Sequence, residues 1–412
     1  MDQPIKSSGI TKPTKMELQE NLTDDYDYDV QESFNTYIWE ELVPTLVVYI
    51  LTLVIGVTGN FLIIFTIARY RRMKSITNVF LASLASADLL LILVCIPVKL
   101  AKLFSFTWTM GVFLCKMMHY MQSVSAICSV FTLTAMSVER YYAIVHPMKA
   151  KYVCTISQAR KIIFTTWVAS FFLAVPILFV QVQMPVGGRI KAYWCVRDWD
   201  WVVAWRCHEV YMLVLVLLLP ASVMTVTYSA ICREIFRVMQ RRFHMTSGKA
   251  TMNCESFPLS TKEKNPRTFK PKIRSEEENN TVKQMSNYKS ERQVIKMLVA
   301  VVIVFILCWA PVLVDNVLTS YDILPHIREG TLKQLATYFQ LLAYFNSCVN
   351  PLVYGFMSKN FRESFSKALC CRRKVPRRQL SVSHTRTTSL INYKSSKKRK
   401  AYYNSRRENN FL

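Results

Sequence analysis

Glycine and histidine are scarce in this chain, and acidic residues are few beside the basic ones. Its 412 residues include only 9 glycines, 6 histidines and 27 Asp or Glu, against 52 Lys or Arg. Glycine-rich phosphate-binding loops are absent, and the histidines are scattered without the spacing of metal ligands. We therefore expect no catalytic residues, no enzymatic activity and no enzymatic cofactor. The sequence also contains no internal repeat.

No cleavable signal peptide is expected either, because the sequence does not open with a charged segment, a short apolar core and a cleavage site. The first apolar run is then expected to act as signal and anchor together. The chain is 51% hydrophobic and carries a net charge of +25. Its basic residues fall between and after apolar runs, which argues against a nucleic-acid binder and indicates a membrane protein with basic cytoplasmic loops.

Seven apolar segments are each long enough to cross a hydrocarbon core of about 30 Å. Helices are expected, because open strands leave backbone groups unpaired in lipid. The predicted fold is an all-α membrane protein, a seven-transmembrane-helix bundle within residues 43–357. The predicted spans are 43–69, 77–104, 111–145, 158–182, 205–239, 292–320 and 331–356.

Charge fixes the expected orientation in the plasma membrane. Residues 1–42 hold ten acidic residues and three lysines, so ten minus three gives a net −7, whereas residues 359–412 hold sixteen Lys or Arg and two Glu. The N-terminus is therefore expected outside and the C-terminus inside the cell. The acidic tail should be disordered. It contains a glycosylation sequon at Asn21, and two tyrosines that are either sulfated or simply solvated, Tyr26 and Tyr28.

Three cytoplasmic segments are expected. Residues 240–290 are polar and basic and should form a flexible loop with helical extensions at both ends. Phe361 and Phe365 lie four residues apart, which predicts a short amphipathic eighth helix over 358–371 on the membrane surface. Residues 372–412 form a basic tail whose Ser and Thr, if phosphorylated, would recruit an arrestin; an inert tail is the alternative. Two cysteines end the eighth helix and are either palmitoylated or free, Cys370 and Cys371.

Three motifs close or interrupt the spans. The third span ends in Glu139-Arg140-Tyr141, the sixth contains Cys308-Trp309-Ala310-Pro311, and the seventh contains Asn350-Pro351-Leu352-Val353-Tyr354. Ionisable and kinking residues are costly in a plain anchor, so they indicate function. Together with Asp88 in the second span, this set resembles the rhodopsin-like (class A) G-protein-coupled receptors from about residue 43 to 371.

The resemblance assigns roles to residues in the cytoplasmic half. Arg140 is the implied switch, paired with Glu139 and, across helices, with Glu291, although Glu291 equally suits a solvated helix end. Activation would swing the sixth span outward and free Arg140 for a G protein. The implied coupling residues are Glu139, Arg140, Tyr141, Tyr228, Glu291, Asn350, Pro351 and Tyr354. The implied activation core is Val130, Pro220, Phe305, Trp309 and Pro311.

Asp88 is a carboxylate in mid-membrane, so it must be paired, protonated or bound to a cation. The resemblance places Ser129, Asn346 and Asn350 around it, and such oxygens suit a hard cation. We therefore expect an allosteric Na⁺ site that stabilises the inactive state. A neutral Asp88 hydrogen-bonded to neighbouring helices is the alternative.

The resemblance also implies a disulfide between Cys115 and Cys195, both on the oxidising side. Cys207 can compete with Cys195 for this bond. Between the fourth span and Cys195, Gly187-Gly188 suits a hairpin turn between short strands.

The pocket residues disfavour amines and retinal. Gln122 stands where amine receptors carry an Asp, and Tyr344 stands where opsins carry a Lys. The chain is instead similar to neuropeptide receptors of the orexin, neuropeptide FF, RFamide and cholecystokinin group. Lys99 is expected to contact either the ligand or one of two carboxylates, Glu209 or Asp315. The predicted ligand-binding residues are Lys99, Gln122, Glu209, Asp315, Asn316 and Gln340.

The resemblance thus predicts a receptor for an extracellular neuropeptide, amidated or not, that activates a heterotrimeric G protein. The acidic tail hints at a basic peptide. Expected further partners are a receptor kinase, an arrestin and membrane lipids, with no nucleic acid. The alternatives are a receptor for a lipid or other small molecule, and an ion-coupled transporter, although a transporter would more often show repeats.

Overall fold

The elements of the chain follow from a computed structural model that describes residues 39–105, 107–186, 192–252, 272–328 and 330–369. Eight principal helices are numbered here in chain order. They are α1 (Trp39–Arg69), α2 (Ile76–Leu103), α3 (Gly111–Val145), α4 (Ile156–Leu173, with a further turn Ile177–Val180), α5 (Val202–Met212, continued by Leu213–Leu218 and Leu219–Met252), α6 (Lys272–Ser320), α7 (Gly330–Met357) and α8 (Lys359–Leu369). Two short helical segments lie between them, Arg71–Met73 and Pro147–Val153.

Six helices of the described residues are long and apolar enough to cross a bilayer. These are Trp39–Arg69, Ile76–Leu103, Gly111–Val145, Ile156–Val180, Val202–Arg241 and Arg292–Ser320. The seventh predicted span corresponds to α7, whose apolar run is interrupted by Asn346 and Asn350. Since α7 packs against α1, α2 and α6, these polar residues lie inside the bundle, where both are buried. The prediction of an all-α membrane protein is confirmed.

Side-chain caps explain where two of the helices begin. Ser75 precedes α2, and its hydroxyl accepts a hydrogen bond from the Asn78 backbone N–H at 3.3 Å. Thr155 precedes α4, and its hydroxyl accepts from the Gln158 N–H at 3.2 Å. Each cap satisfies a backbone donor that the first turn of a helix leaves unpaired.

A proline accounts for the irregular stretch of α5. Residues Leu213–Leu218 form a π-helical turn immediately before Leu219 and Pro220. Proline has no backbone N–H, and its ring collides with the carbonyl four residues earlier. A wider turn relieves this collision. Pro220 itself is buried in the bundle.

Two glycines let α1 approach its neighbours closely. A Cβ atom built on Gly59 would lie 2.6 Å from the Pro351 Cβ of α7, and one on Gly56 would lie 2.4 Å from the Ile92 Cδ1 of α2. Real Cβ atoms do not come so near to other heavy atoms. At Gly59 the obstacle is the rigid Pro351 ring, so glycine is required there, whereas at Gly56 it is the end of the flexible Ile92 side chain. The main apolar core lies deeper, between α2, α3, α5 and α6.

A β-hairpin follows α4. Strand β1 (Gln181–Val186) pairs antiparallel with β2 (Ala192–Arg197), in a register that joins Gln181 to Arg197 and Val186 to Ala192. The predicted turn at Gly187-Gly188 lies outside the described residues. The fourth span was predicted to reach residue 182, which is wrong by two residues because the chain becomes extended at Gln181 and enters β1.

The helices α5 and α6 extend well beyond the predicted spans. The described residues are helical as far as Met252 and again from Lys272, so the predicted helical extensions take up most of the loop 240–290. Residues 253–271 lie outside the described part. After α7, the helix α8 begins at Lys359. Its Phe361 is only 2% exposed and stacks on Tyr354 with 5.7 Å between ring centroids, so this side chain packs into the bundle.

Candidate functional site

Arg140 lies near the end of α3 and is held by its sequence neighbour. The Arg140 Nε donates to the Glu139 Oε2 at 2.5 Å, and Nη2 donates to Oε1. Glu139 is 8% exposed and Arg140 17%, so water screens this two-pronged ion pair only weakly. The Glu291 side chain lies outside the described side chains, so the cross-helix pair with Arg140 stays a prediction. We call this side of the bundle the Arg140 end. Tyr141 lies here as well, with its hydroxyl 3.3 Å from the His146 Nε2.

Two further contacts join helices at the Arg140 end. The Ser137 hydroxyl of α3 donates to the Tyr228 hydroxyl of α5 at 3.1 Å. The Gln293 Nε2 of α6 donates to the Met357 carbonyl at the last residue of α7, at 2.5 Å. The first predicted tyrosine is therefore engaged by α3, and the start of the bilayer-spanning part of α6 is tied to α7. At this end of the bundle, hydrogen bonds therefore join α3 to α5 and α6 to α7.

Tyr354, the second predicted tyrosine, is 1% exposed, and its hydroxyl has no hydrogen-bond partner within the described ranges. A buried hydroxyl without a partner costs roughly 1–3 kcal/mol, so it favours any rearrangement or water that supplies one. Pro351 lies one turn earlier in α7, against Gly59.

Asp88 lies in mid-bundle, where it is 1% exposed. The Asn350 Nδ2 of α7 donates to the Asp88 Oδ2 at 2.9 Å. Asn60 of α1 fixes the backbone beside it, since its Nδ2 donates to the carbonyls of Gly56 at 2.9 Å and Ser347 at 2.8 Å. Three of the seven helices thus meet around one carboxylate.

Several buried side-chain oxygens of α1, α3 and α7 have the chemistry that suits a hard cation. The side-chain oxygens of Asn60, Asn346 and Asn350 are buried and have no hydrogen-bond partner in the parts of the chain that the structure describes, and Ser129 is 2% exposed. Buried polar atoms without partners require an explanation such as an ion or water. A carboxylate, amide oxygens and a hydroxyl are the donors that Na⁺ or Ca²⁺ prefers. No group of three or more His, Cys, Asp or Glu that could hold a metal occurs among the described residues.

The implied activation core is densely buried. Val130 of α3 is fully buried, Phe305 of α6 is 1% exposed, and both belong to the main apolar cluster. The rings of Phe305 and Trp309 stack at 6.0 Å between centroids. The Trp309 Nε1 is a further buried donor without a partner among the described residues. Pro311, two residues on, lies inside α6, where it removes a helical hydrogen bond.

The predicted disulfide is present. Cys115 of α3 and Cys195 of β2 are bonded, with 5.7 Å between their Cα atoms. Cys207, the competing thiol, is exposed and free. The bond therefore ties the hairpin across the end of α3 opposite to Arg140, which we call the disulfide end.

Charged residues at the disulfide end form pairs that the sequence did not predict. The Arg197 Nε lies 2.7 Å from the Glu209 Oε1, and the Arg328 Nη1 lies 2.8 Å from the Asp315 Oδ1. Both carboxylates are thus occupied by arginines. Lys99 pairs with neither in the described structure; its Nζ lies 3.5 Å from the Gln340 Oε1.

Alternation along β2 offers a signal for Arg197, because residues two apart share one face of a strand. Cys195 must face α3 to form the disulfide, so Arg197 faces the bundle as well. Arg328 lies in the segment between α6 and α7, where no periodicity marks it.

Gln122 is half-buried in α3 and receives a hydrogen bond from α7. The Tyr344 hydroxyl donates to the Gln122 Oε1 at 2.9 Å, and Tyr344 packs edge-on against Tyr49 of α1 at 5.8 Å. The sequence pattern marks Tyr344 only as a residue that disfavours retinal, and gives no sign of its contact with Gln122. Asn316 is half-buried in α6. Gln122 and Lys99 therefore each contact a side chain of α7, Tyr344 and Gln340 respectively. Glu209 and Asp315 lie in separate ion pairs.

Several predicted sites fall outside the described residues. These are the sequon at Asn21 and the cysteines Cys370 and Cys371, together with both tails. They stay predictions.

Comparison with known proteins identifies the class of this chain. Residues 59–354 match the family described as 7 transmembrane receptor (rhodopsin family). The chain belongs to this family, and the expected resemblance is confirmed.

Its relatives include three kinds of receptor. The chain is 30% identical over 334 residues to a QRFP-like peptide receptor of Branchiostoma floridae, covering 80% of this chain and 78% of that receptor. It is 30% identical to the pyroglutamylated RF-amide peptide receptor of Rattus norvegicus, over 76% of this chain and 66% of the relative. It is 31% identical to a cholecystokinin receptor of Xenopus laevis, over 78% of this chain and 75% of that receptor.

Proposed function

We propose that this chain is a plasma-membrane receptor for an extracellular peptide and that it activates a heterotrimeric G protein. Its membership of the rhodopsin family carries the proposal, and the peptide receptors among its relatives support the ligand class. The disulfide end then faces outward with the N-terminus, and the Arg140 end faces the cytoplasm with the C-terminus.

The outer pocket has chemistry that suits a peptide. Gln122, Asn316 and Gln340 present amide donors and acceptors, which an amidated peptide terminus requires. Lys99 pairs with no carboxylate within the described residues, and the basic groups of Lys102 and Arg197 lie close enough to interact with it electrostatically. The basic ligand suggested by the acidic tail is therefore disfavoured at this position. We infer instead that the peptide brings an acidic group to Lys99.

The mechanism begins where the ligand meets α6 and α7. A ligand that repositions the half-buried Asn316 or the Tyr344–Gln122 contact changes the packing of Trp309 on Phe305. The helix α6 then moves about Pro311, and the Gln293–Met357 hydrogen bond breaks. The bundle opens at the Arg140 end, where Arg140 leaves Glu139 and contacts the G protein. Two packings that differ by a few kcal/mol are enough for such a change.

A Na⁺ ion held by Asp88, Ser129, Asn346 and Asn350 would oppose this opening. Bound Na⁺ would supply a positive charge that neutralises Asp88 and satisfies the unpaired amide oxygens of α7. By reciprocity, an activating ligand and Na⁺ must weaken each other's binding.

Further partners follow from the segments outside the described residues. We propose that a receptor kinase phosphorylates the Ser and Thr of the tail 372–412 and that an arrestin then binds it. Palmitoylation of Cys370 and Cys371 would hold α8 at the membrane surface among anionic lipids.

The test of the proposed function is a ligand screen on the full chain expressed in cells. Amidated neuropeptides are added, and calcium and cyclic AMP are measured. A true ligand gives a saturable response that Arg140→Ala abolishes while ligand binding to the same variant persists. Silence across a broad peptide library, with the chain shown at the cell surface, would contradict a peptide ligand and favour a small molecule. An ion current that needs Asp88 but not Arg140 would contradict the receptor mechanism.

The Na⁺ proposal is tested by thermal unfolding of the purified chain. Sodium chloride is compared with the same concentration of choline chloride, and Asp88→Asn serves as the variant that keeps the shape and removes the charge. At ten times its Kd, a bound ion stabilises the folded state by about 1.4 kcal/mol. Only the unchanged chain should show this gain. The Na⁺ site would be contradicted if choline chloride stabilised the chain as much as sodium chloride does, or if sodium chloride stabilised Asp88→Asn as much as the unchanged chain.

A further inference from the structure

Two lysines near the end of α2 lie on the side of that helix that contacts α3. The Cys95 Sγ of α2 donates to the Met118 carbonyl of α3 at 3.5 Å, which identifies the contacting face. Lys99 and Lys102 follow Cys95 by four and seven residues, so they continue along this face toward the disulfide end. Both are half-buried. We call these two residues the lysine pair.

The groups around the lysine pair add positive charge. Cys115 of α3 faces β2 through the disulfide, and His119 lies one turn deeper on the same face. The His119 ring is close enough to interact electrostatically with both lysines and with Arg197. Arg197 in turn occupies the nearest element's carboxylate, because its Nε donates to the Glu209 Oε1 at 2.7 Å. Glu209 is therefore not available to the lysine pair.

The other described cations of the disulfide end have partners of their own. Four of them form ion pairs of 2.7 to 2.8 Å, which are Arg197–Glu209, Arg206–Asp322, Arg328–Asp315 and Lys333–Glu41. Lys116 of α3 donates to the Leu178 carbonyl at 2.8 Å. Within the described ranges the lysine pair has no carboxylate partner, and Lys99 reaches only the neutral Gln340 side chain at 3.5 Å. Two positive charges are thus left for a ligand to neutralise.

The spacing of the lysine pair defines the ligand further. Residues three apart on a helix have Cβ atoms about 5–6 Å apart. In an extended peptide, side chains two residues apart point to the same side and are separated by roughly 6.6 Å. One carboxylate would neutralise only half of the charge, whereas two acidic side chains at this separation match both lysines.

We propose that the lysine pair is a subsite for two acidic side chains of the activating peptide, placed two residues apart in an extended segment. This subsite presupposes the receptor function proposed above and defines the class of its ligand, a peptide in which Asp or Glu is followed by any one residue and then by Asp or Glu. Each carboxylate accepts a charge-assisted hydrogen bond from one ammonium group. A basic segment is repelled at the same place.

The subsite is tested by peptide binding to the full chain in nanodiscs of neutral phosphatidylcholine. The probes are Gly-Glu-Gly-Glu-Gly, Gly-Glu-Gly-Gln-Gly and Gly-Gln-Gly-Gln-Gly, acetylated and amidated so that only side chains carry charge. Saturation-transfer NMR gives the Kd of each probe. We expect saturable binding of the diacid and roughly tenfold weaker binding of the monoacid, because one charge-assisted hydrogen bond is lost. The neutral probe should bind more weakly still.

Exchanges at the lysine pair locate the binding. Lys99→Gln and Lys102→Gln should each weaken binding of the diacid roughly tenfold and leave the neutral probe unchanged. Lys99→Arg keeps the charge and should retain the binding, which separates a lost charge from a lost fold. The matched control is Lys116→Gln, the same exchange at a lysine of the same end that donates to the Leu178 carbonyl. It should bind the diacid like the unchanged chain.

The subsite would be overturned if the diacid did not bind saturably, if the three probes had equal Kd values, or if Lys116→Gln lost as much binding as Lys99→Gln. These measurements need no G protein, so their failure leaves the receptor function standing. An activating peptide whose response survives the loss of both Lys99 and Lys102 would also overturn the subsite alone. Conversely, lysine-dependent binding of the diacid in a chain that no peptide activates would support the subsite and contradict activation by a peptide.

Discussion

At the scale of single residues, the bundle depends on positions where one extra atom would not fit. The contact between Gly59 and Pro351 is the clearest example, because Gly59 has no side chain and the Pro351 ring that it meets is rigid. The same proline belongs to the motif of α7 that is implied in switching. The contact between Gly59 and Pro351 therefore contributes both to the packing of α1 on α7 and to the geometry of the α7 motif.

Gly59→Ala should destabilise the receptor by about 1–3 kcal/mol, the usual cost of overpacking a tight contact. Its Cβ would lie 2.6 and 2.8 Å from two Pro351 ring atoms. Thermal unfolding of the purified chain measures the effect. Gly355→Ala is the matched control, since a Cβ there would meet only Phe365 at 3.9 Å, an ordinary contact. Equal melting temperatures for the two variants would refute the steric argument.

Residue identities at the motifs could be predicted from the sequence, whereas many of their partners could not. The disulfide and the hydrogen bond between Asn350 and Asp88 could be predicted, because these residues occupy motif positions that the resemblance identified. Arg197 and Arg328 occupy positions that no motif marks, and a salt bridge between distant segments has no signature in either segment. Lys99 was therefore assigned possible carboxylate partners that these arginines already occupy.

At the scale of elements, the existence of the membrane helices was predictable, because it follows from the length of the apolar segments. The residues at which the helices end were less predictable, because they depend on capping side chains and on where a strand begins. Ser75 and Thr155 are recognisable N-caps, and the predicted starts of α2 and α4 lie two and three residues after them. The π-turn of α5 follows from Pro220, but its position depends on how α3 and α6 pack against it. The length of α6 beyond the membrane carries no apolar signal.

The Gln293–Met357 hydrogen bond is the element-scale contact that a mutation can test. Gln293→Ala removes a bond worth about 1 kcal/mol between α6 and α7 and should raise basal G-protein activation about fivefold. Gln240→Ala is the control, because Gln240 is also exposed but makes no hydrogen bond to another helix in the described structure. Nucleotide exchange on added G proteins, measured without ligand, is the readout. Unchanged basal exchange in Gln293→Ala would show that this bond does not hold α6.

At the scale of the whole molecule, one covalent bond organises the disulfide end. It joins α3 to a hairpin whose Arg197 continues the connection to Glu209 of α5. The hairpin is thus attached to two helices, once by a disulfide and once by a buried ion pair. This arrangement fixes the position of the hairpin relative to α3 and α5.

Cys115→Ser should therefore lower both surface expression and thermal stability, by roughly 2–5 kcal/mol for the loss of a disulfide. Cys207→Ser provides the control, since this exposed cysteine is free in the described structure. Flow cytometry and unfolding of the purified chain measure the two effects. If Cys207→Ser lost as much as Cys115→Ser, the pairing of Cys115 with Cys195 would be contradicted.

The long helix α6 also works as a lever. From Pro311 to Gln293 is eighteen residues, or about 27 Å of helix. A tilt of about 10° at Pro311 would displace Gln293 by about 5 Å, far more than a hydrogen bond tolerates. Little displacement is then required near Asn316, which is close to the fulcrum. The receptor would therefore amplify: at the same tilt Asn316, about 7.5 Å from Pro311, moves by only about 1.3 Å, whereas the hydrogen bond at Gln293 is broken.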